Sequence, residues 1–244
     1  MAYEKIVIIG ATSGIGLEVA RLLWDGGATV GVAGRRTDRL LEFCGERKER
    51  VAYMAIDITD DNAGKKVVEL ANKIGGANTI LLCSGIGSQN PELDAGIELN
   101  TVETNVKGFT RIICAAFNYF KEKGGGHIAA VTSIAGTKGL GIAASYSATK
   151  RYQNIYIQCL AQLSRMQKYN IKFTDIRPGF VDTDLLKSGK FPLKMHTGYV
   201  AKIIVKALKL QRRSIVIDWK YRIIVALWKL IPRYLWERLN IRNN

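Results

Sequence analysis

The sequence predicts an α/β protein: a doubly wound parallel sheet of about seven strands with helices on both faces, followed by a basic amphipathic helical tail. Three observations predict it. Short, uninterrupted apolar runs alternate with longer amphipathic stretches, the pattern of βαβ units whose strands are covered on both faces. A glycine-rich turn separates the first apolar run from the first amphipathic stretch. Conspicuous polar residues collect just after the apolar runs, where a sheet of this kind binds its ligand.

At 244 residues with 48% hydrophobic content, the chain can bury a large core, and disorder is excluded. Residues 1–218 read as one domain and residues 219–244 as an extension. Four cysteines, at positions 44, 83, 114 and 159, form no Cys-x-x-Cys pair. They sit in apolar segments, so buried, reduced thiols are expected, with neither disulfides nor a metal site. His127 and His196 have no evident ligand partners. The N-terminus runs into a strand without a charged-then-apolar leader, so a cytoplasmic location is expected. The net charge of +15 is uneven: from Leu185 onward there are fourteen Lys/Arg against two acids.

Taken in order, residues 5–9 (Lys-Ile-Val-Ile-Ile) read as a strand buried on both faces. Gly10-Ala11-Thr12-Ser13-Gly14-Ile15-Gly16 then opens a helix that ends near Gly26-Gly27. Glycines there let backbone approach a pyrophosphate, and the helix N-terminus offers free N–H groups and the positive end of its dipole. The bare spacing also fits a tight turn. Its place directly after a strand is what points to a phosphate.

The second strand, residues 29–33, runs into Gly34-Arg35-Arg36 with no acid. An acid at that point suits the ribose hydroxyls of NAD, whereas guanidiniums suit a 2′-phosphate, so NADP(H) is favoured. A helix over 38–47 leads to a strand over 51–56 and then to Asp57-Ile58. That carboxylate could bond an adenine amino group, or cap the next helix with Thr59 and Asp60.

A helix over 61–74 and a strand over 78–83 precede Ser84-Gly85-Ile86-Gly87, and residues 86–97 read as a loop. One long helix is expected over 99–122 with Asn105 inside it, a mediocre helix former that needs a bond or a task. The strand over 127–131 gives way to Thr132-Ser133, and a helix begins at Ser145-Tyr146. The strand over 171–176 ends at Arg177-Pro178-Gly179-Phe180-Val181-Asp182-Thr183. Residues 184–196, with Gly189 and Pro192, suit a mobile lid. Thr197 is expected to cap a helix over 198–210, and residues 214–217 read as the last strand.

Tyr146 and Lys150 are four apart on one helix and are therefore neighbours. An ammonium near a phenol favours the phenolate and lowers its pKa from about 10. That would make a proton donor usable near neutral pH, which reducing a carbonyl requires.

Together these residues resemble the short-chain dehydrogenase/reductase family, over roughly residues 4–218. Gly10–Gly16 resembles its glycine motif. Asn105-Val106-Lys107-Gly108, Ser133, Tyr146-x-x-x-Lys150 and Pro178-Gly179 with Thr183 follow in the family's order and approximate spacing. The resemblance implies a Rossmann-like fold and a hydride transferred between NADP(H) and a carbonyl or secondary alcohol. It implies Tyr146 as the acid/base, Lys150 as its charge partner and ribose clamp, Ser133 as the carbonyl orienter, and Asn105 as the support of a proton relay. Gly10, Gly14, Ile15, Gly16 and Gly85 would line the cofactor. Thr12, Ser13, Arg35 and Arg36 would hold its 2′-phosphate region, and Asp57 and Ile58 its adenine. Pro178, Gly179, Val181 and Thr183 would hold its nicotinamide end. A homodimer or homotetramer is implied as well. The chain departs from the family in two places. Leu82-Cys83-Ser84-Gly85 stands where Asn-Asn-Ala-Gly is common, so the cofactor floor should be held differently. Ile9 stands where a threonine often precedes the first glycine.

The tail, residues 219–240, interleaves Trp219, Trp228, Trp236, two tyrosines and many Leu/Ile with Lys/Arg. Its longest uncharged run, residues 223–228, is far short of the ~20 residues that cross a bilayer. The composition suits a helix lying on an anionic membrane surface, with Pro232 starting a second short helix. A helix covering a partner is the alternative. Nucleic acid is disfavoured, since so many aliphatic residues would be wasted on phosphates. Membrane attachment would favour a lipophilic substrate, a sterol or keto-lipid. A non-catalytic NADP(H)-binding scaffold is the competing function, although it has no use for Asn105, Ser133, Tyr146 and Lys150. An isomerase or dehydratase on the same fold ranks below both.

Overall fold

The structure, a computed structural model, describes residues 4–47, 49–186, 191 and 193–241. Its first half alternates β1 (Lys5–Ile9), α1 (Gly14–Asp25), β2 (Thr29–Gly34), α2 (Thr37–Gly45), β3 (Val51–Ala55), α3 (Ala63–Lys73) and β4 (Thr79–Leu82). Next come α4 (Ala95–Val102), a π-helical turn (Glu103–Gly108), α5 (Phe109–Glu122), β5 (Gly126–Val131), α6 (Ala144–Met166) and β6 (Ile171–Pro178). The last elements are α7 (Thr197–Lys209), β7 (Ser214–Ile217), α8 (Trp219–Leu230) and α9 (Arg233–Trp236).

The strands form one seven-stranded sheet in the order β3-β2-β1-β4-β5-β6-β7, and every neighbouring pair is parallel. Alternation along each strand assigns its side chains to the two faces. On β1, Ile6 and Ile8 join the core under α1, α2, α7 and α8, while Val7 and Ile9 join the core under α3, α5 and α6. All four are fully buried.

Chain order reverses between β1 and β4, so the connections after them diverge and leave a crevice at their C-terminal ends. Both exits are pinned. Gly10 N and Ala11 N donate to Ala33 O, and Cys83 N and Ser84 N donate to Ile9 O. A side chain at Gly10 would collide with Ser84, and a Cβ at Gly16 would lie 2.1 Å from Gly10 O. Only glycine lets the turn pass that closely between strand and helix.

The expected single helix over 99–122 is instead three pieces. It begins earlier, at Ala95, because Asp94 caps it by accepting from Ile97 N at 3.0 Å. It is then interrupted by the π turn around Asn105. Thr197 does not cap α7. His196 does, its Nδ1 accepting from Gly198 N at 3.1 Å. Cys159 is exposed on α6 rather than buried. It lies on the outward side of that helix with the exposed Ile155, Leu163 and Met166. Among the described residues no helix is long and apolar enough to cross a membrane.

Candidate active site

Ser133, Tyr146, Lys150 and Asn105 come from three separate parts of the chain and meet beside the crevice. Ser133 follows β5 in extended backbone, and its Oγ accepts from Ala135 N at 3.0 Å. Tyr146 and Lys150 lie in the first turns of α6, whose start is fixed by Glu98: its carboxylate accepts from Ser145 N at 2.9 Å. An acid at that position also complements the dipole. Gly87 makes room for the phenol, since a Cβ there would lie 2.3 Å from Tyr146 Cδ2.

The electrostatics differ from the sequence expectation. Burial raises the Tyr146 pKa, and a hydrogen bond from Ser133 opposes that rise. The nearby Lys150 does not reverse that rise. Its Nζ stands over the phenol ring, 5.7 Å from the centroid, because residues four apart stack flank to flank on a helix. Lys150 is itself buried, and burial lowers its pKa to about 8 against the pull of Asp175 and Cys83. The neighbouring Cys83 thiol is pushed up to about 12 by burial, partly offset by Lys150. Lys150 is therefore poised between charged and neutral forms near physiological pH.

This lysine is held by a residue that belongs to no motif. Its Nζ donates to Gln153 Oε1 at 3.1 Å, and Gln153 Nε2 donates to the Asn105 carbonyl at 2.9 Å. That carbonyl lies in the π turn, where the i→i−4 ladder is interrupted and a main-chain acceptor can face elsewhere. Asn105 uses its amide for the loop after β4. Oδ1 accepts from Ile86 N at 2.9 Å, and Nδ2 donates to Ile86 O at 2.6 Å and Thr149 Oγ1 at 3.2 Å. This pairing holds the floor that Leu82-Cys83-Ser84 cannot hold through asparagine side chains. Gly85 lies against both groups, since a Cβ there would meet Asn105 Oδ1 at 3.2 Å and Lys150 Nζ at 3.3 Å.

Beneath Ser133, Asp175 is fully buried and accepts from Thr132 Oγ1 at 2.6 Å, Asn154 Nδ2 at 3.2 Å and Arg177 Nη2 at 2.6 Å. Four side chains from β6, α6 and the end of β5 thus lock the shelf on which Ser133 sits.

The nucleotide side of the crevice fits a dinucleotide. The N-cap residue Ser13 makes no side-chain cap bond, so among the described residues the first-turn N–H groups of α1 are open to an external acceptor. The Ser13 hydroxyl instead accepts from Arg36 Nη2, and Thr12 Oγ1 accepts from Arg36 Nε at 3.2 Å and Nη2 at 3.0 Å. Arg36 also lies 3.7 Å from Asp184. Arg35 lies 3.9 Å from Asp57. Asp57 caps its own turn: Oδ1 accepts from Thr59 N at 3.0 Å and Thr59 Oγ1 at 2.8 Å. Burial acts to raise the Asp57 pKa, but the Thr59 bonds and Arg35 outweigh it and the pKa falls. Ile58 is buried against Gly108.

At the other end of the crevice, Pro178 closes β6, and a Cβ on Gly179 would strike the Tyr221 ring at 2.2 Å. Val181 is buried and bridges to Met195. Thr183 lies over the glycine turn, 3.1 Å from a Cβ placed on Gly14, beside a cleft of about 490 Å³. Ile15 follows in the first turn of α1. Gly189 and Pro192 of the expected lid lie outside the described residues.

A family model for short chain dehydrogenase matches residues 4–190. An uncharacterized oxidoreductase of Mycobacterium tuberculosis (strain ATCC 25618 / H37Rv) is 31% identical over 245 residues, covering 94% of this chain and 95% of its own. Another, from Myxococcus xanthus (strain DK1622), is 26% identical and covers 97% of this chain and 96% of its own. Among solved structures, an alcohol dehydrogenase of the archaeon Thermococcus sibiricus, complexed with 5-hydroxy-NADP, matches with a TM-score of 0.77 at 23% identity, covering 88% of this chain and 96% of that one. A 3-ketoacyl-(acyl-carrier-protein) reductase of Brucella melitensis, complexed with NADH, matches with a TM-score of 0.78 at 24% identity over the same shares, 88% and 96%. Both structures share the fold.

Proposed function

The chain belongs to the short-chain dehydrogenase family, an oxidoreductase family, and from that premise we propose that it is an NADP(H)-dependent carbonyl reductase or alcohol dehydrogenase. The observation that supports this reading is the convergence of Ser133, Tyr146 and Lys150 at the crevice beside an uncapped helix N-terminus.

NADPH, when bound, supplies the hydride. The chain supplies placement and the proton. The α1 N-terminus and the glycine turn receive the pyrophosphate, and Arg36 with Thr12 and Ser13 receives the 2′-phosphate. Ser133 Oγ and the Tyr146 hydroxyl donate to the carbonyl oxygen as negative charge grows on it. Tyr146 then yields its proton to that oxygen. Its raised pKa keeps it protonated until then, and Lys150, while charged, stabilises the phenolate left behind. Gln153 and Asn105 hold Lys150 for this task.

The proposal extends to a lipophilic substrate, a sterol or keto-lipid, because the aromatic, aliphatic-rich α8 and α9 pack on the segments that follow β6 and β5, Tyr221 on Gly179 and Trp236 on Gly139. It also includes a cytoplasmic location and assembly as a homodimer or homotetramer, which would cover the apolar outer side of α6. The test is NADPH consumption by the purified chain against a panel of steroids, keto-lipids and small ketones. Reduction of one class, abolished in Tyr146→Phe, is the expected result. NADPH binding without turnover on any ketone would favour the scaffold reading instead.

A further inference from the structure

The hairpin of α8 and α9 has two unlike sides. Its inner side is docked on the body. Tyr221 and Val225 enter the core, and the Trp228 and Trp236 rings meet edge to face at 5.3 Å. Trp236 Nε1 donates to Gly139 O at 2.6 Å, and Lys138 Nζ donates to Ile231 O at 2.8 Å. Tyr221 Oη accepts from Phe180 N at 3.1 Å and donates to Leu193 O at 3.2 Å. The hairpin thus clasps the connection between Ser133 and Tyr146 on one flank and the segment after β6 on the other. On the reductase reading these two segments flank the substrate side of the crevice.

The outer side is apolar and uncovered. Trp219, Ile223, Leu227 and Leu230 are exposed, Leu230 by 78% and Trp219 by 61%, and Tyr234 and Leu239 extend the surface. At about 100° per residue, the four α8 residues fall within an arc of about 80°, opposite the buried Tyr221 and Val225. Cations edge that arc: Lys220 on one side, Arg222 and Lys229 on the other, with Arg233 and Arg238 beyond. Glu237 is the only acid from residue 219 to the end, and Arg233 occupies it at 2.6 Å.

We infer that this outer side is a docking surface for an anionic lipid layer, with α8 lying flat and its apolar arc at the depth of the headgroups. An aromatic and aliphatic stripe bordered by cations complements acyl chains bordered by phosphates. A second copy is the less fitting occupant. A two-fold contact through the same patch would set its cations against their own copies. The hairpin is joined to both flanking segments, so docking brings the substrate entrance to the lipid surface. Only that use rests on the reductase reading; lipid binding stands apart from it and is tested without turnover.

The test is flotation of the full chain with vesicles of phosphatidylcholine alone and of equal parts phosphatidylcholine and phosphatidylglycerol. The chain should float with the mixed vesicles and remain behind with the neutral ones. Leu227→Glu/Leu230→Glu should abolish flotation, while NADPH binding and the thermal midpoint stay unchanged. Lys220→Gln/Arg222→Gln/Lys229→Gln leaves the apolar arc intact and should weaken partition by about fivefold per cation removed. Equal partition of the parent and the Glu variant would overturn the inference. So would indifference to lipid charge, or a Glu variant whose only change is from dimer to monomer in sedimentation.

Discussion

Lys150 Nζ lies 3.1 Å from Gln153 Oε1, and Gln153 in turn holds the main-chain carbonyl of Asn105. All three residues are buried, so no bulk water competes for the lysine at that point. Gln153 acts through Lys150, as a positioning residue. Burial has already brought the Lys150 pKa down to about 8, and removing an acceptor of its proton should bring it down further. The rate of carbonyl reduction should therefore fall as pH rises through about 8 in the native protein. In Gln153→Leu that falling limb should move to lower pH, and in Gln153→Glu to higher pH. Profiles of kcat against pH for the three proteins check this. A uniform loss of rate with an unmoved limb would mean that Gln153 only supports the fold.

Tyr146 is admitted to the site by the missing side chain of Gly87. Tyr146→Phe keeps the ring and loses the proton, so kcat should fall by about 10²–10⁴-fold with NADPH affinity little changed. Gly87→Ala should give a comparable loss for a different reason. The new methyl overlaps the ring at 2.3 Å and forces the phenol off its position. Single-turnover rates across pH, together with NADPH titration, separate the two. The residual rate of Gly87→Ala should keep the falling limb set by Lys150, and that of Tyr146→Phe, with no phenolate for Lys150 to stabilise, should lose it.

Arg36 is the guanidinium that faces the glycine turn, with Thr12 and Ser13 as its partners, whereas Arg35 leans on Asp57. A charge-assisted bond to phosphate contributes about 1.5–3 kcal/mol. Arg36→Ala should therefore raise KM for NADPH by about 10- to 100-fold and leave KM for NADH within a few-fold. Arg35→Ala should have the smaller effect. Comparing kcat/KM for both cofactors in each variant decides which arginine sets the preference.

The sheet is legible in the sequence because its strands are buried on both faces, and a continuous apolar run such as Ile6-Val7-Ile8-Ile9 fits little besides a strand covered on both sides. The cluster around Tyr146 is legible because its members sit at strand ends and at one helix start. The interruption at Asn105 is not. A π turn has no local signature here; it follows from tertiary bonds to Ile86 and Gln153 that only the assembled fold provides. Gln153 carries a weak signal, three residues after Lys150 on one helix, and by pattern it is indistinguishable from ordinary helix surface. Glu98 carries none, because its partner, the start of α6, lies 47 residues away. The expected lowering of the Tyr146 pKa fails for a related reason. Spacing shows that two side chains are neighbours, but not that one is buried enough for desolvation to dominate.

His127 gives a prediction about stability alone. It sits on β5, buried, with Nε2 2.8 Å from Thr174 Oγ1 on β6. Burial lowers its pKa from 6.5 to about 4. Above about pH 6.5 the imidazole is neutral in both the folded and unfolded chains, and its contribution to stability is fully present. As pH falls from there toward about 4, the unfolded chain takes up a proton that the folded chain refuses, so stability is lost. The loss over that window is about 3 kcal/mol, an order-of-magnitude figure from about 1.4 kcal/mol per unit. In His127→Gln the side chain can still bond Thr174 but does not titrate. Urea midpoints measured at about pH 7 and about pH 5 should therefore converge in the variant while staying apart in the parent. Equal acid sensitivity in both would assign the loss to a group other than His127, and not to Asp57, whose lowered pKa keeps its own contribution in place until the pH falls below about 3.8.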